Sequence, residues 1–193
     1  MKEETLVANI NKNLPQYPKT VFDKGWIYGV WYCGRKFQKS QLYGEYPATF
    51  FKRILAMFPN IEEERFLHLF SGTMGNGFGV TVDGSDKFNP NIIHVLTKDT
   101  PLPFQNETFD VVLADPPYSK DHAKEYVLPY PSPTLILKEA MRVLKPGGYF
   151  LLLHQMYPSY KRGEILLVGL IAIITGFYCV TRLLSIFKKP SVA

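Results

Sequence analysis

Asp115, Pro116, Pro117 and Tyr118 follow one another directly after an apolar run, and their types suit one kind of chemistry. Each proline fixes its own φ near about −65° and pushes the residue before it towards extended geometry, which makes the Asp115 carboxylate and the Pro116 carbonyl stiff, outward-facing acceptors. Two such acceptors suit an amino group. An exocyclic NH2 on a nucleobase carries two protons and a nitrogen lone pair spread into the ring. Acceptors that take the protons leave the lone pair free for attack, and Tyr118 offers a face on which the base stacks. A plain Asp-Pro-Pro turn closing a strand is the alternative reading of the same residues.

The elements that must position this tetrad are legible around it. Phe109 to Ala114 reads as a buried strand, and ligands of open α/β sheets bind at such C-terminal ends. Upstream, Arg65 to Leu69 is an apolar strand that breaks into the loop Phe70-Ser71-Gly72-Thr73, where glycine allows close approach of a ligand to the backbone. Gly79 to Gly84 is a second strand ending on Asp83, at the position where doubly wound folds place an acid for ribose hydroxyls. Ile92 to Leu96 is a third, followed by Asp99 and Leu102-Pro103-Phe104. Downstream, Ser132-Pro133 starts a helix through Leu144 that stops at Lys145-Pro146-Gly147-Gly148, and Tyr149 to Leu153 is the next strand.

On these residues the chain resembles the S-adenosylmethionine-dependent amino-methyltransferases, whose catalytic tetrad is Asp/Asn/Ser-Pro-Pro-Tyr/Phe/Trp. The resemblance implies a Rossmann-like, seven-stranded α/β methyltransferase sheet with a C-terminal antiparallel hairpin. It implies S-adenosylmethionine as cofactor, held by Pro47, Phe70, Ser71, Gly72, Thr73, Asp83 and Asp99, with Asp83 at the ribose and Asp99 at the adenine. It implies catalysis by Asp115, Pro116, Pro117 and Tyr118 on a base amino group, adenine N6 or cytosine N4 in DNA ahead of guanine N2 or adenine N6 in RNA. Two departures keep a non-catalytic nucleic-acid or protein-binding module open. Met74 stands where the family has its second glycine, and Ser71 to Gly79 is too short for the helical crossover that parallel strands normally need, so the chain is compact between its first two strands.

The N-terminal segment interleaves Trp26, Tyr28, Trp31, Tyr32, Tyr43 and Tyr46 with Lys24, Arg35, Lys36 and Lys39. It reads either as a stacking and phosphate-contacting surface, with Trp31 and Tyr43 as substrate contacts, or as a cap folded over the sheet. Pro47 is expected at the first position of a helix from Ala48 to Met57, with Lys52 and Arg53 near the cofactor's carboxylate. Lys120, His122 and Lys124, just past the tetrad, are further candidate substrate contacts.

Ile165 to Val180 is apolar, but its 16 residues fall short of the ~20 that a membrane-spanning helix needs, and Thr175-Gly176 interrupts it. A buried hairpin, Ile165 to Ile174 and Phe177 to Phe187, is expected there instead, and no membrane partner. At 193 residues the chain is expected to form a single methyltransferase domain, with an aromatic and basic extension at 1–47 and a catalytic core at 48–193. Cys33 and Cys179 lack metal spacing and fit a cytoplasmic, reducing setting; no metal is expected. A net charge of +5 suits a polyanionic partner such as nucleic acid without requiring one. Oligomeric state is not readable from these features.

Overall fold

The computed structural model describes residues 1–34, 46–74, 76–125, 129–176 and 179–191, leaving aside the side chains of His122 and Glu125. Its elements are α1 (Glu3–Asn13), β1 (Val21–Asp23), β2 (Trp26–Tyr32), α2 (Phe50–Met57), β3 (Phe66–Leu69), β4 (Val80–Asp83), β5 (Ile92–Ile93), β6 (Phe109–Ala114), α3 (Lys120–Glu125), α4 (Pro133–Val143), β7 (Leu144–His154), β8 (Leu166–Ile174) and β9 (Arg182–Lys188). The strands form one mixed sheet in the order β1-β2-β8-β9-β7-β6-β3-β4-β5.

This is an α/β methyltransferase-like fold with nine strands where seven were expected. The two additional strands are β1 and β2. β2 pairs parallel with β8, Ile27 opposite Gly169 through Tyr32 opposite Ile174, and β1 pairs antiparallel with β2 outside it. The first 34 residues are therefore built into the sheet: Leu6, Val7 and Ile10 of α1 are buried with Ile27 and Trp31 in the same core as Ile171, Leu184 and Leu151. Burying an aliphatic side chain contributes roughly 1.5–3 kcal/mol, enough for one short amphipathic helix to hold an edge strand in place. Gly169 marks the join. A Cβ there would lie 2.7 Å from the Ile27 Cβ, and the register of β8 against β9 shifts between Leu167 and Gly169.

A C-terminal antiparallel hairpin forms as expected, with its second strand beginning at Arg182 rather than at Phe177: β8 and β9 pair antiparallel, and β9 inserts between β8 and β7. Among the described residues no helix is long and apolar enough to cross a membrane. α4 is built as its sequence dictates. The Ser132 hydroxyl caps the helix by accepting from the Leu135 amide at 3.2 Å, Pro133 occupies the first turn, and Ile136, Leu137, Ala140 and Met141 bury one face. Leu144 has left the helix for extended geometry and begins β7.

The connection between β3 and β4 is the compact one. The two strands are parallel, Leu67 opposite Val80, yet between them the described residues contain only a 3-10 turn at Gly72–Met74. Gly79 makes this tight return possible. Its φ is +86° and a Cβ would lie 2.7 Å from the Phe66 carbonyl oxygen.

Candidate active site

β6 ends at Ala114, so Asp115 emerges at the C-terminal end of a central parallel strand flanked by β3 and β7. Its side chain is 10% exposed. The Tyr118 hydroxyl donates to Asp115 Oδ1 at 2.6 Å, and the Arg182 guanidinium reaches Oδ2 at 3.9 Å while lying 5.4 Å over the Tyr118 ring. Burial pushes the Asp115 carboxyl up to about 6, against the opposing pull of Arg182 and the Tyr118 hydrogen bond. The phenol of Tyr118 is itself pushed far up, first by burial and then by the neighbouring carboxylate. His154, the last residue of β7, packs edge-on against the Tyr118 ring at 5.2 Å; burial holds its imidazole below the ordinary value. The tetrad thus sits in a tight shell of aromatic and charged groups. A carboxylate of this kind is an acceptor at neutral pH, with its charge costly enough to make a new hydrogen-bond partner welcome.

A second feature lies across the β3 and β4 ends. Leu69, Phe70, Val82, Asp83, His94, Leu96 and Leu102 line a pocket with apolar walls and one carboxylate. Phe70 is held at φ +58°, a conformation costing about 1–3 kcal/mol in a bulky residue and concentrated at ligand-binding positions. Asp83 accepts from the Gly72 amide at 2.9 Å through Oδ2 and from the Ser85 amide at 3.0 Å through Oδ1, so it ties the glycine loop to the end of β4. Each oxygen retains a lone pair for a further donor. The Ser71 hydroxyl is buried without a hydrogen-bond partner among the described residues, as is the Tyr46 hydroxyl on the Asp115 side. Polar atoms in that condition fit a polar ligand that would complete them. The acid at the end of β4 and the glycine loop it ties down are the types of group that would hold a nucleoside-bearing cofactor of the S-adenosylmethionine kind, while the cavity between them has room for about one water-sized molecule.

The pocket's far wall is set by a contact that sequence reasoning missed. Glu139, 6% exposed at its side chain, pairs with Arg142 at 2.7 Å and accepts from the Leu102 amide at 2.9 Å. Arg142 in turn donates to the Leu102 and Phe104 carbonyls at 2.9 and 2.7 Å. Burial alone would raise the Glu139 carboxyl, but these donors outweigh it and hold it below the ordinary value. The Leu-Pro-Phe segment is thereby pinned to α4. Glutamate and arginine three apart on one helix are the available signal, though they say nothing of the loop they grip.

Several expected site residues lie elsewhere. Trp31 is no substrate platform: it is 0% exposed, and its indole N–H donates to the Thr20 hydroxyl at 3.0 Å. Alternation along β2 is the reason, because Ile27 and Trp31 point into the core while Trp26, Tyr28, Val30 and Tyr32 point outwards. Arg53 is likewise internal, donating to the Tyr32 carbonyl at 3.0 Å and lying 3.9 Å over the Tyr17 ring, and so does not await a cofactor carboxylate. Pro47 is buried but precedes the helix, whose cap is Thr49. Asp99 is exposed and outside the residues lining the pocket, where His94 was not anticipated. Thr73 is half-buried in the 3-10 turn. Lys120 is exposed at the start of α3, and Lys124 pairs with Asp121 at 2.7 Å. Tyr43 and the His122 side chain lie outside the described residues.

His68 resembles a catalytic base only by type. It is fully buried in β3, 5.1 Å from the Phe51 ring, and burial drives it to about 3, so it is neutral. The Phe78 main chain is near enough to favour the charged form slightly, but neither ring nitrogen makes a hydrogen bond of good geometry among the described residues.

Residues 81–152 match the methyltransferase domain. The matched span runs from β4 to β7 and contains Asp83, Asp99 and the whole tetrad. No curated protein gives a significant match. Among solved structures, TrmN from Thermus thermophilus is similar at a TM-score of 0.50 and 16% identity, over 72% of this chain and 47% of that one. The chain thus spans about half the length of that relative. A complex between the Haloferax volcanii Trm112 methyltransferase activator and a methyltransferase contains a chain with a TM-score of 0.44 at 15% identity, over 69% of this chain and 86% of that one. A methylase from Haemophilus influenzae gives 0.42 at 11% identity, over 74% and 95%.

Proposed function

We propose that the chain is an S-adenosylmethionine-dependent methyltransferase that methylates an exocyclic amino nitrogen of a nucleobase, adenine N6 or cytosine N4 in DNA before RNA. The observation that carries this reading is the largely buried Asp115 carboxylate at the end of β6, bonded to Tyr118 and faced by Arg182. When bound, S-adenosylmethionine supplies an electrophilic methyl group. The chain's own residues do the rest. Asp115 accepts one amino proton by hydrogen bond, the Pro116 carbonyl takes the other, and the Tyr118 ring flanks the base. Asp83, Gly72 and Ser71 bind the cofactor on the neighbouring strand ends. The base arrives flipped or single-stranded, since an amino group inside a duplex cannot enter a strand-end pocket. Trp26, Tyr28 and Tyr32, exposed on the outward face of β2, supply ring faces for such a strand, and the net charge of +5 favours a polyanion.

The 3-10 turn in place of a first crossover helix favours a second reading, a binding module that keeps the fold without turnover. Incubating the protein with methyl-labelled S-adenosylmethionine and separate DNA, RNA and protein pools tests both. Label in DNA is the expected result, label in RNA selects the RNA enzyme, and label in none of the pools leaves the binding module.

A further inference from the structure

Arg182 opens β9, which runs antiparallel to β7 with Leu183 opposite His154, so the arginine lies at the same end of the sheet as the tetrad. Among the described residues, groups from different elements act on Asp115 or its hydrogen-bond partner. Tyr118 comes from its own loop, Tyr46 from the segment before α2, Arg182 from β9, and His154 from the end of β7 against the Tyr118 ring. Tyr46 and His154 are both buried and neutral. Arg182 is the one cation of that group. Its side chain is 28% exposed and bridges the Asp115 carboxylate and the Tyr118 ring, at 3.9 and 5.4 Å.

We propose that Arg182 is a positioning residue for this site, acting on the target amino group only through Asp115 and Tyr118: it keeps the carboxylate charged and the ring in place. The proposal rests on the amino-methyltransferase reading and assigns a role in it to the C-terminal hairpin. Its logic is electrostatic. A carboxyl so enclosed drifts towards its neutral form, and a protonated Asp115 offers a donor where the amino group needs an acceptor. The cation opposes that drift. At 3.9 Å the contact is looser than a bidentate pair, which leaves Asp115 able to take a new partner without surrendering its charge.

The test is a carboxyl 13C NMR titration of Asp115 in the whole protein, assigned by the signal lost in Asp115→Asn. The wild-type midpoint is expected near 6. In Arg182→Met it should rise by about one pH unit or more, and Arg182→Lys should recover at least half of that shift. The acid limb of methyl transfer should move with it, so that for a one-unit shift Arg182→Met loses about threefold at pH 6.5 and regains most of it at pH 8. Should Arg182→Met not fold, Arg182→Gln carries the same expectation. An unchanged midpoint overturns the proposal, as does a rate loss in Arg182→Met that is equal at every pH. The titration needs neither cofactor nor substrate. An inactive wild-type protein would therefore end the methyl-transfer reading while the role of Arg182 at Asp115 is still decided by the midpoint.

Discussion

Two parallel strands of one sheet, β4 and β6, each deliver an aspartate to the same edge, and the two carboxylates are treated in opposite ways. Asp83 is met by two backbone amides, from Gly72 and Ser85, and so serves as a structural tie as well as a lining group of the pocket. Asp115 meets a phenol and a more distant guanidinium inside a buried shell, and its carboxyl is pushed up to about 6. Backbone amides are fixed donors whose loss unravels a loop. Side-chain partners can rotate away. The difference separates a carboxylate that builds a site from one that can exchange partners during a reaction.

The sharpest way to break this comparison is Asp115→Ala. Methyl transfer should fall at least about a hundredfold, ~2.7 kcal/mol or more of transition-state stabilisation, while calorimetric binding of S-adenosylmethionine stays near wild type. Retained turnover would remove the assigned chemistry.

Asp115→Asn sharpens the same point through stability. The folded carboxyl titrates near 6, above its ordinary value, so the folded state holds the proton more tightly than the unfolded chain does. Ionisation therefore costs stability, and the loss accrues as pH rises from about 4 to 6 and is complete above that. The variant lacks this group, so at pH 7 it should be more stable than wild type by about 2 to 3 kcal/mol, with the gap closing by pH 4. Denaturant melts at the two pH values measure it.

For Asp83→Ala the sign reverses. Two partly buried backbone amides lose their acceptor, so stability should fall by about 1 to 2 kcal/mol and cofactor binding should weaken with it. Asp99→Ala should do least, within about 0.5 kcal/mol of wild type in stability and well under the effect of Asp83→Ala on cofactor binding, because Asp99 is exposed and off the pocket wall. Equal binding losses for the two would return Asp99 to the adenine role that its place after the third strand suggests.

The sequence by itself determined what local rules govern. The tetrad's strand is legible because an apolar run followed by two prolines leaves little conformational freedom, and β6 does end at Ala114. The capped α4 and the β-branched hairpin follow from Ser132-Pro133 and from Ile165 to Ile174 in the same way. Tertiary structure alone decided the rest. The pairing of β2 with β8 joins Ile27 to Gly169, and no local pattern specifies a partner that far along the chain. That pairing, with β2's alternation, sent Trp31 inwards and left Trp26, Tyr28 and Tyr32 outside, although all four share one aromatic-rich segment. The Arg182–Asp115 pair and the grip of Glu139 and Arg142 on the Leu102 loop are of the same kind. Such contacts depend on where whole strands and helices come to rest, and an isolated arginine or glutamate carries no sign of the backbone it will meet.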